Sequence, residues 1–170
     1  MRSRRNLNEV KRKSATRKPR ARILLVCEGE KTERIYFSLF LAALRAANVR
    51  LEIAERECGS DPLGIIRYAK SLTKADRGID QCYCVIDRDS HANFDSARKE
   101  AEDYNKTLKS GREFHAISSY PCFEVWFIFH FCFTRSPFSK KGRKSASDCV
   151  ISNLKKHLPE YKKNSLDAIS

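Results

Sequence analysis

The stretch Ile23-Leu24-Leu25-Val26-Cys27-Glu28-Gly29-Glu30 decides how the rest of the chain is read. Five apolar residues stand in a row with no polar residue between them. A strand with one wet face would alternate apolar and polar side chains, so this run suits a strand buried on both faces, as in a parallel sheet. Its carboxyl end runs into an acidic turn, and Thr32 to Ala47 follows with apolar residues at Ile35, Phe37, Leu39, Phe40, Leu41 and Leu44. That spacing predicts a helix covering the strand.

The same alternation continues downstream. Arg50 to Glu57 reads as a weaker second strand, broken by Cys58-Gly59-Ser60-Asp61-Pro62. Pro62 suits the first turn of a helix, and Asp61 or Ser60 suits its cap. Cys82 to Ile86 is a third short apolar run, followed by Asp87-Arg88-Asp89 and a helical pattern over Phe94 to Leu108. Phe114 to Ser118 reads as a fourth strand, and the aromatic segment Phe123 to Phe133 as a core helix. Residues 134–147 form a polar, basic loop, and a last helix starts near Ala146. The predicted order β-α-β-α-β-α-β-α defines an α/β fold with a central, mostly parallel sheet flanked by helices. The chain stops at Ser170 without a clear terminal signal, which suggests that a C-terminal helix is missing.

Charge divides the 170 residues unevenly. The net charge is +13, and residues 1–22 supply +9 of it through ten basic side chains against Glu9 alone. Residues 1–20 lack apolar periodicity and are predicted to be a disordered basic arm, with residues 21–170 forming the α/β domain. The excess of cations favours a polyanionic partner, nucleic acid before an anionic membrane surface. Arg17, Lys18 and Arg20 in the arm, and Lys140, Lys141, Arg143 and Lys144 in the loop, are the candidate backbone contacts. Each cluster also has a plain reading as a solvated segment.

No run of residues approaches the roughly 18–20 apolar positions of a membrane span, and the N-terminus lacks an apolar signal core. The seven cysteines are odd in number and several sit inside apolar runs, so Cys27, Cys84, Cys122 and Cys132 read as small core residues in a reducing cytoplasm. Cys82 and Cys84 form a C-x-C pair, but only Cys58 offers itself as a further zinc ligand, which argues against a zinc site.

In open parallel sheets, chemistry gathers beyond the carboxyl ends of the strands. The first strand ends in Glu28 and the third in Asp87-x-Asp89. If those strands are neighbours, three carboxylates converge. Such a cluster is repulsive unless neutralised, and its oxygens suit Mg²⁺ or Mn²⁺, which favours chemistry at phosphorus. Each motif alone has a structural explanation: Asp87 ends a strand, Asp89 caps a helix, and acids ahead of a helix complement its dipole. Glu124 lies inside an aromatic run and needs a partner or a purpose. It is either a further acidic ligand or hydrogen-bonded organiser of the catalytic site, or else a helix N-terminal acid or half of an internal ion pair with Arg or Lys. His91 follows the D-x-D and can touch phosphate, whereas His130 reads as a satisfied core residue.

Three separated motifs resemble the RloB-type proteins: I-L-L-V-C-E-G-E-K-T-E-R-I-Y-F at Ile23–Phe37, C-V-I-D-R-D-S-H at Cys84–His91 and S-Y-P-C-F-E-V-W-F at Ser119–Phe127. The likeness spans roughly residues 22–160. RloB proteins resemble the TOPRIM domains of OLD-family nucleases, primases and topoisomerases, and are associated with restriction-linked and abortive-infection loci, often beside an ABC-type ATPase. The resemblance implies that Glu28 is the TOPRIM glutamate, moving a proton or helping hold the metal, and that Asp87 and Asp89 bind the metal. It places Glu30 and Glu33 in the E-G-x-x-T-E pattern. Tyr120 stands where family members commonly carry Asn, so a side-chain amide role is not available there. The implied activity is metal-dependent cleavage of DNA or RNA in anti-phage defence. The alternative is a non-catalytic module that binds nucleic acid or an ATPase partner, and primase-like nucleotidyl transfer ranks behind both.

Overall fold

The computed structural model describes residues 21–29, 31–44, 49–54, 61–88 and 92–163. Four strands, β1 (Ala21–Cys27), β2 (Val49–Ile53), β3 (Gln81–Asp87) and β4 (Glu113–Ser119), alternate with helices α1 (Thr32–Leu44), α2 (Pro62–Ala75) and α3 (Phe94–Lys106). Two more helices follow, α4 (Val125–Phe129) and α5 (Ala146–Leu154). The strands form one sheet in the order β2-β1-β3-β4. Every pairing is parallel, with Cys27 opposite Val85 and Asp87 opposite Ser119. The predicted α/β architecture is therefore the one observed, and β1 and β3 are neighbours.

The continuous apolar runs are explained by helices on both faces. Leu24, Val26, Cys82, Cys84, Ile86 and Phe114 point to one side, where they meet Ile65, Ile66 and Ala69 of α2 and Ala97 and Ala101 of α3. The intervening residues Leu25, Cys27 and Val85 point to the other, against Phe123, Phe127, Ile128, Val150, Leu154 and Tyr161. Each fully buried Ile or Leu contributes about 1.5–3 kcal/mol relative to exposure, so both faces are strongly specified. The Asp61 side chain caps α2 by accepting from Gly64 N–H at 2.8 Å, with Pro62 in the first turn. Ser145 and Asp148 close a capping box at the start of α5.

The aromatic segment departs from expectation. Its helix covers only Val125–Phe129, and Phe129, Phe131 and Phe133 are 49%, 47% and 81% exposed. Phe123, Phe127 and Ile128 share the inward face, Phe129 lies off it, and the helix ends there, so Phe131, four residues after Phe127, is not carried onto that face. His130, expected in the core, is exposed and meets the Tyr36 hydroxyl at 2.9 Å through Nε2. Cys132, also expected in the core, is exposed, while Cys27, Cys84 and Cys122 are buried.

Candidate active site

Glu28 sits one residue beyond β1. Its N–H donates to the Val85 carbonyl at 2.9 Å, continuing the parallel ladder by one bond. The next ladder donor is Asp87 N–H, which donates to the Glu28 carboxylate (Oε2) at 2.9 Å. In a regular parallel bridge that N–H would meet the main-chain carbonyl of Glu28. The side chain therefore takes over a bond that the backbone gives up as the chain turns at Gly29.

Asp87 ends β3 beside this turn. Its Oδ2 accepts from the N–H of Phe123 at 3.2 Å, which ties the sheet edge to the segment leading into α4. Burial pushes the Asp87 carboxyl up to about 7, and the negative charges of Glu33, Glu28 and Glu124 add to the shift while the Phe123 N–H opposes it. Glu33, in the first turn of α1, is 6% exposed, and burial followed by repulsion from Glu124 and Glu28 raises its pKa as well. A Cβ placed on Gly29 would overlap the Glu33 carboxylate, so a glycine is what lets that side chain lie against the turn.

Glu124 completes the group from α4's N-cap position. It is 1% exposed, accepts from the Tyr161 hydroxyl at 3.2 Å, and has Lys163 Nζ at 3.6 Å. Burial opposes the charge on Lys163, but the surrounding acids, Glu124 foremost, hold its pKa above the ordinary lysine value. The sequence left Glu124 between an acidic ligand or hydrogen-bonded organiser and a helix N-terminal acid or ion pair; the helix-terminal position, the hydrogen bond and the ion pair are all present. Tyr161 and Lys163 were missed as site residues. The signal was the need of a buried acid for a partner, which does not say which of 34 Lys and Arg residues supplies it.

Four carboxylates thus gather at the carboxyl edge of the sheet, Glu28, Glu33 and Glu124 each acting on Asp87, and Lys163 is a cation within reach of Glu124, Asp87 and Glu33. Asp89 and His91, like Glu30, lie outside the described residues. Among the described residues no set of three or more His, Cys, Asp or Glu side chains stands at metal-binding geometry. The donor chemistry nevertheless fits a hard divalent cation: the groups are carboxylate oxygens, and at Asp87 and Glu33 burial, followed by repulsion from the neighbouring acids, raises the pKa.

Tyr120 follows Ser119 at the end of β4 in a cis peptide bond with Pro121. The Arg88 guanidinium lies 5.7 Å from its ring centroid and 5.6 Å from that of Phe94. Here the aromatic at position 120 shelves the arginine between the two acids of the D-x-D motif. Lys140, Lys141, Arg143 and Lys144 are exposed on a tight turn closed by Lys141 and Lys144. Arg17, Lys18 and Arg20 lie outside the described residues. No helix among the described residues is long and apolar enough to cross a membrane.

A parallel α/β sheet with buried acids collected beyond two adjacent strands defines the class of protein. The family model described as RloB-like protein matches residues 23–170, and the chain belongs to that family. No curated protein and no solved structure matched in the corresponding comparisons.

Proposed function

We propose that this RloB-like protein is a TOPRIM-like, metal-dependent nuclease that cleaves phosphodiester bonds of DNA or RNA in anti-phage defence. The observation that carries the reading is the meeting of Glu28 and Asp87 on adjacent parallel strands, with Glu33 and Glu124 close enough to repel them. Asp87 and Asp89, with Glu28, are the residues that would hold Mg²⁺ or Mn²⁺. The ion supplies charge at the phosphoryl oxygens and a polarised water. Glu28 keeps its position through the Asp87 N–H and is the acid that would move a proton or complete the metal shell. Glu33 and Glu124 add negative potential, which Lys163 offsets in part.

The basic arm and the 140–144 turn bind the polyanion through phosphate contacts. Deleting residues 1–20 should weaken binding about equally for all sequences and flatten its salt dependence. An unchanged salt slope would show that the arm does not touch phosphate.

A second reading, a non-catalytic module that binds nucleic acid or an ABC-type ATPase partner and regulates defence, has its own support. Glu28 and Asp87 both accept main-chain N–H groups, and Glu124 is already paired, so each acid has a structural task. Incubating purified protein with labelled DNA and RNA in Mg²⁺, Mn²⁺ or EDTA, beside Asp87→Ala, separates the two. Cleavage that needs metal and Asp87 supports the nuclease. No cleavage by the wild type in any metal, together with a defence phenotype that survives Asp87→Asn, would leave the binding module.

A further inference from the structure

Beside the acidic edge, one layer of aromatic rings away, lies a hollow of about 300 Å³ between α1, α4 and the segment after α5. Its walls include Tyr36, Phe40, Phe127, His130, Phe131 and Leu158. The volume falls at the low end of small-molecule sites, and such sites combine apolar walls with a few polar groups. The polar group here is the Tyr36–His130 pair, hydroxyl to Nε2 at 2.9 Å. Tyr36 also joins the hollow to the acids. Its ring meets Phe123 edge-on at 5.3 Å, and the Phe123 N–H donates to Asp87.

The rings that flank the hollow are open to solvent, with Phe40 at 43% and Phe131 at 47% exposure. Flat exposed rings already stack here, Phe131 on His157 at 5.1 Å and Phe40 on Tyr36 at 6.1 Å. Cations lie close to them along the chain. Lys155 and Lys156, both exposed, directly precede His157, whose ring stacks on Phe131, and the Arg135 guanidinium lies 5.5 Å from the ring centroid of exposed Phe133, which follows Phe131 by two residues. The exposed cations of the 140–144 turn follow in the chain. Exposed aromatics interleaved with cations are the chemistry of single-strand binding: rings stack on bases while Lys and Arg follow the backbone. A protein partner's apolar helix would use the rings but gives no reason for the flanking cations.

We propose that this hollow is a stacking site for a nucleobase of a single-stranded nucleic acid, with the neighbouring phosphates led toward Asp87. The assignment rests on the nuclease reading for its direction and on the pocket's own rings and cations for its ligand. Tyr36 and His130 offer the base edge a donor and an acceptor. Phe40 and Phe131 offer it faces.

The test is fluorescence anisotropy in EDTA, so that cleavage plays no part. The probes are labelled oligothymidylate, oligouridylate and an abasic oligomer of the same length and charge. The two base-bearing strands show whether deoxyribose or ribose is preferred. At least one should bind about fivefold or more tighter than the abasic strand, the lower bound of a single stacked base. Phe131→Ala and Phe40→Leu should bring that ratio toward one and leave abasic binding unchanged. Phe40→Leu keeps apolar bulk at a half-exposed site, so an unaltered melting temperature for it guards against misfolding as the cause. Equal affinity of the wild type for base-bearing and abasic strands would overturn the assignment. So would sedimentation showing a wild-type dimer that Phe131→Ala dissociates, which would make the face a contact between two copies. Base-selective binding without cleavage in any metal would refute the nuclease reading and leave the stacking site standing.

Discussion

Asp87→Asn separates electrostatic cost from structural role at the centre of the site. The Asp87 carboxyl is raised from 3.8 to about 7, chiefly by burial and then by Glu33 and Glu28. A carboxyl with a higher pKa in the folded state binds more protons there than in the unfolded chain. Its contribution is therefore most favourable below pH 4 and is lost as pH rises toward 7. At 1.36 kcal/mol per pKa unit, the full loss is about 4 kcal/mol, a ceiling because the neighbouring Glu33 titrates too. Asparagine keeps a carbonyl oxygen to accept the Phe123 N–H, which stands 3.2 Å from Asp87 Oδ2, and it removes the charge. Urea unfolding followed by the fluorescence of Trp126, the single tryptophan, reports the change. In EDTA, Asp87→Asn should be close to wild type near pH 4 and more stable by about 1–4 kcal/mol at pH 8. Adding Mg²⁺ or Mn²⁺ should stabilise the wild type in proportion to site occupancy and leave the variant unmoved. A variant that is less stable than wild type by the same amount at every pH would refute the reasoning, since Asp87 would then act through shape and hydrogen bonding alone.

Removing the Lys163 ammonium by Lys163→Met should cost about 1–2 kcal/mol, reduced from the value for a fully buried pair because that side chain is half-exposed. Its raised pKa keeps this contribution through the neutral range, to be lost only as pH climbs past ordinary lysine values, and a pH series of unfolding curves would show it. Gly29→Ala should cost no more than about 1 kcal/mol, because the atoms its methyl meets are the movable end of the Glu33 side chain, and adding Glu33→Ala should recover much of that in a double-mutant cycle. Strict additivity there would show that the two residues do not press on each other.

The sheet was legible because each buried strand is a short apolar run and each run is followed by a helical spacing. Ile23 to Cys27 and Cys82 to Ile86 carry no polar residue except Tyr83, so they belong between two layers whatever the partner strands are. The aromatic segment was harder. Phe129, Phe131 and Phe133 look like core by composition, yet α4 ends at Phe129 and leaves them outside. Apolar content states that a ring prefers cover, not whether the same chain provides it. The acids behaved likewise. Placing Glu28 beside Asp87 needed only that β1 and β3 be adjacent, whereas Glu33 joined through the glycine at position 29, and Lys163 joined from 39 residues beyond Glu124.

The Glu28 contact carries the final argument about what kind of residue this position demands. The ladder between β1 and β3 needs an acceptor for Asp87 N–H, and the carboxylate of Glu28 provides one at 2.9 Å. A glutamine can still offer a carbonyl oxygen there, and an alanine cannot. Glu28→Gln should therefore fold with near wild-type stability, while Glu28→Ala should lose about 1–3 kcal/mol for a donor left without its partner in a half-buried site. If Glu28 served only to end the strand, glutamine would replace it in every assay. If its charge also serves the chemistry at the sheet edge, Glu28→Gln keeps the fold and loses the cleavage or the metal-induced stabilisation. Equal retention of stability and of metal response in Glu28→Gln would assign this carboxylate to the ladder alone and leave Asp87 as the acid on which the site depends.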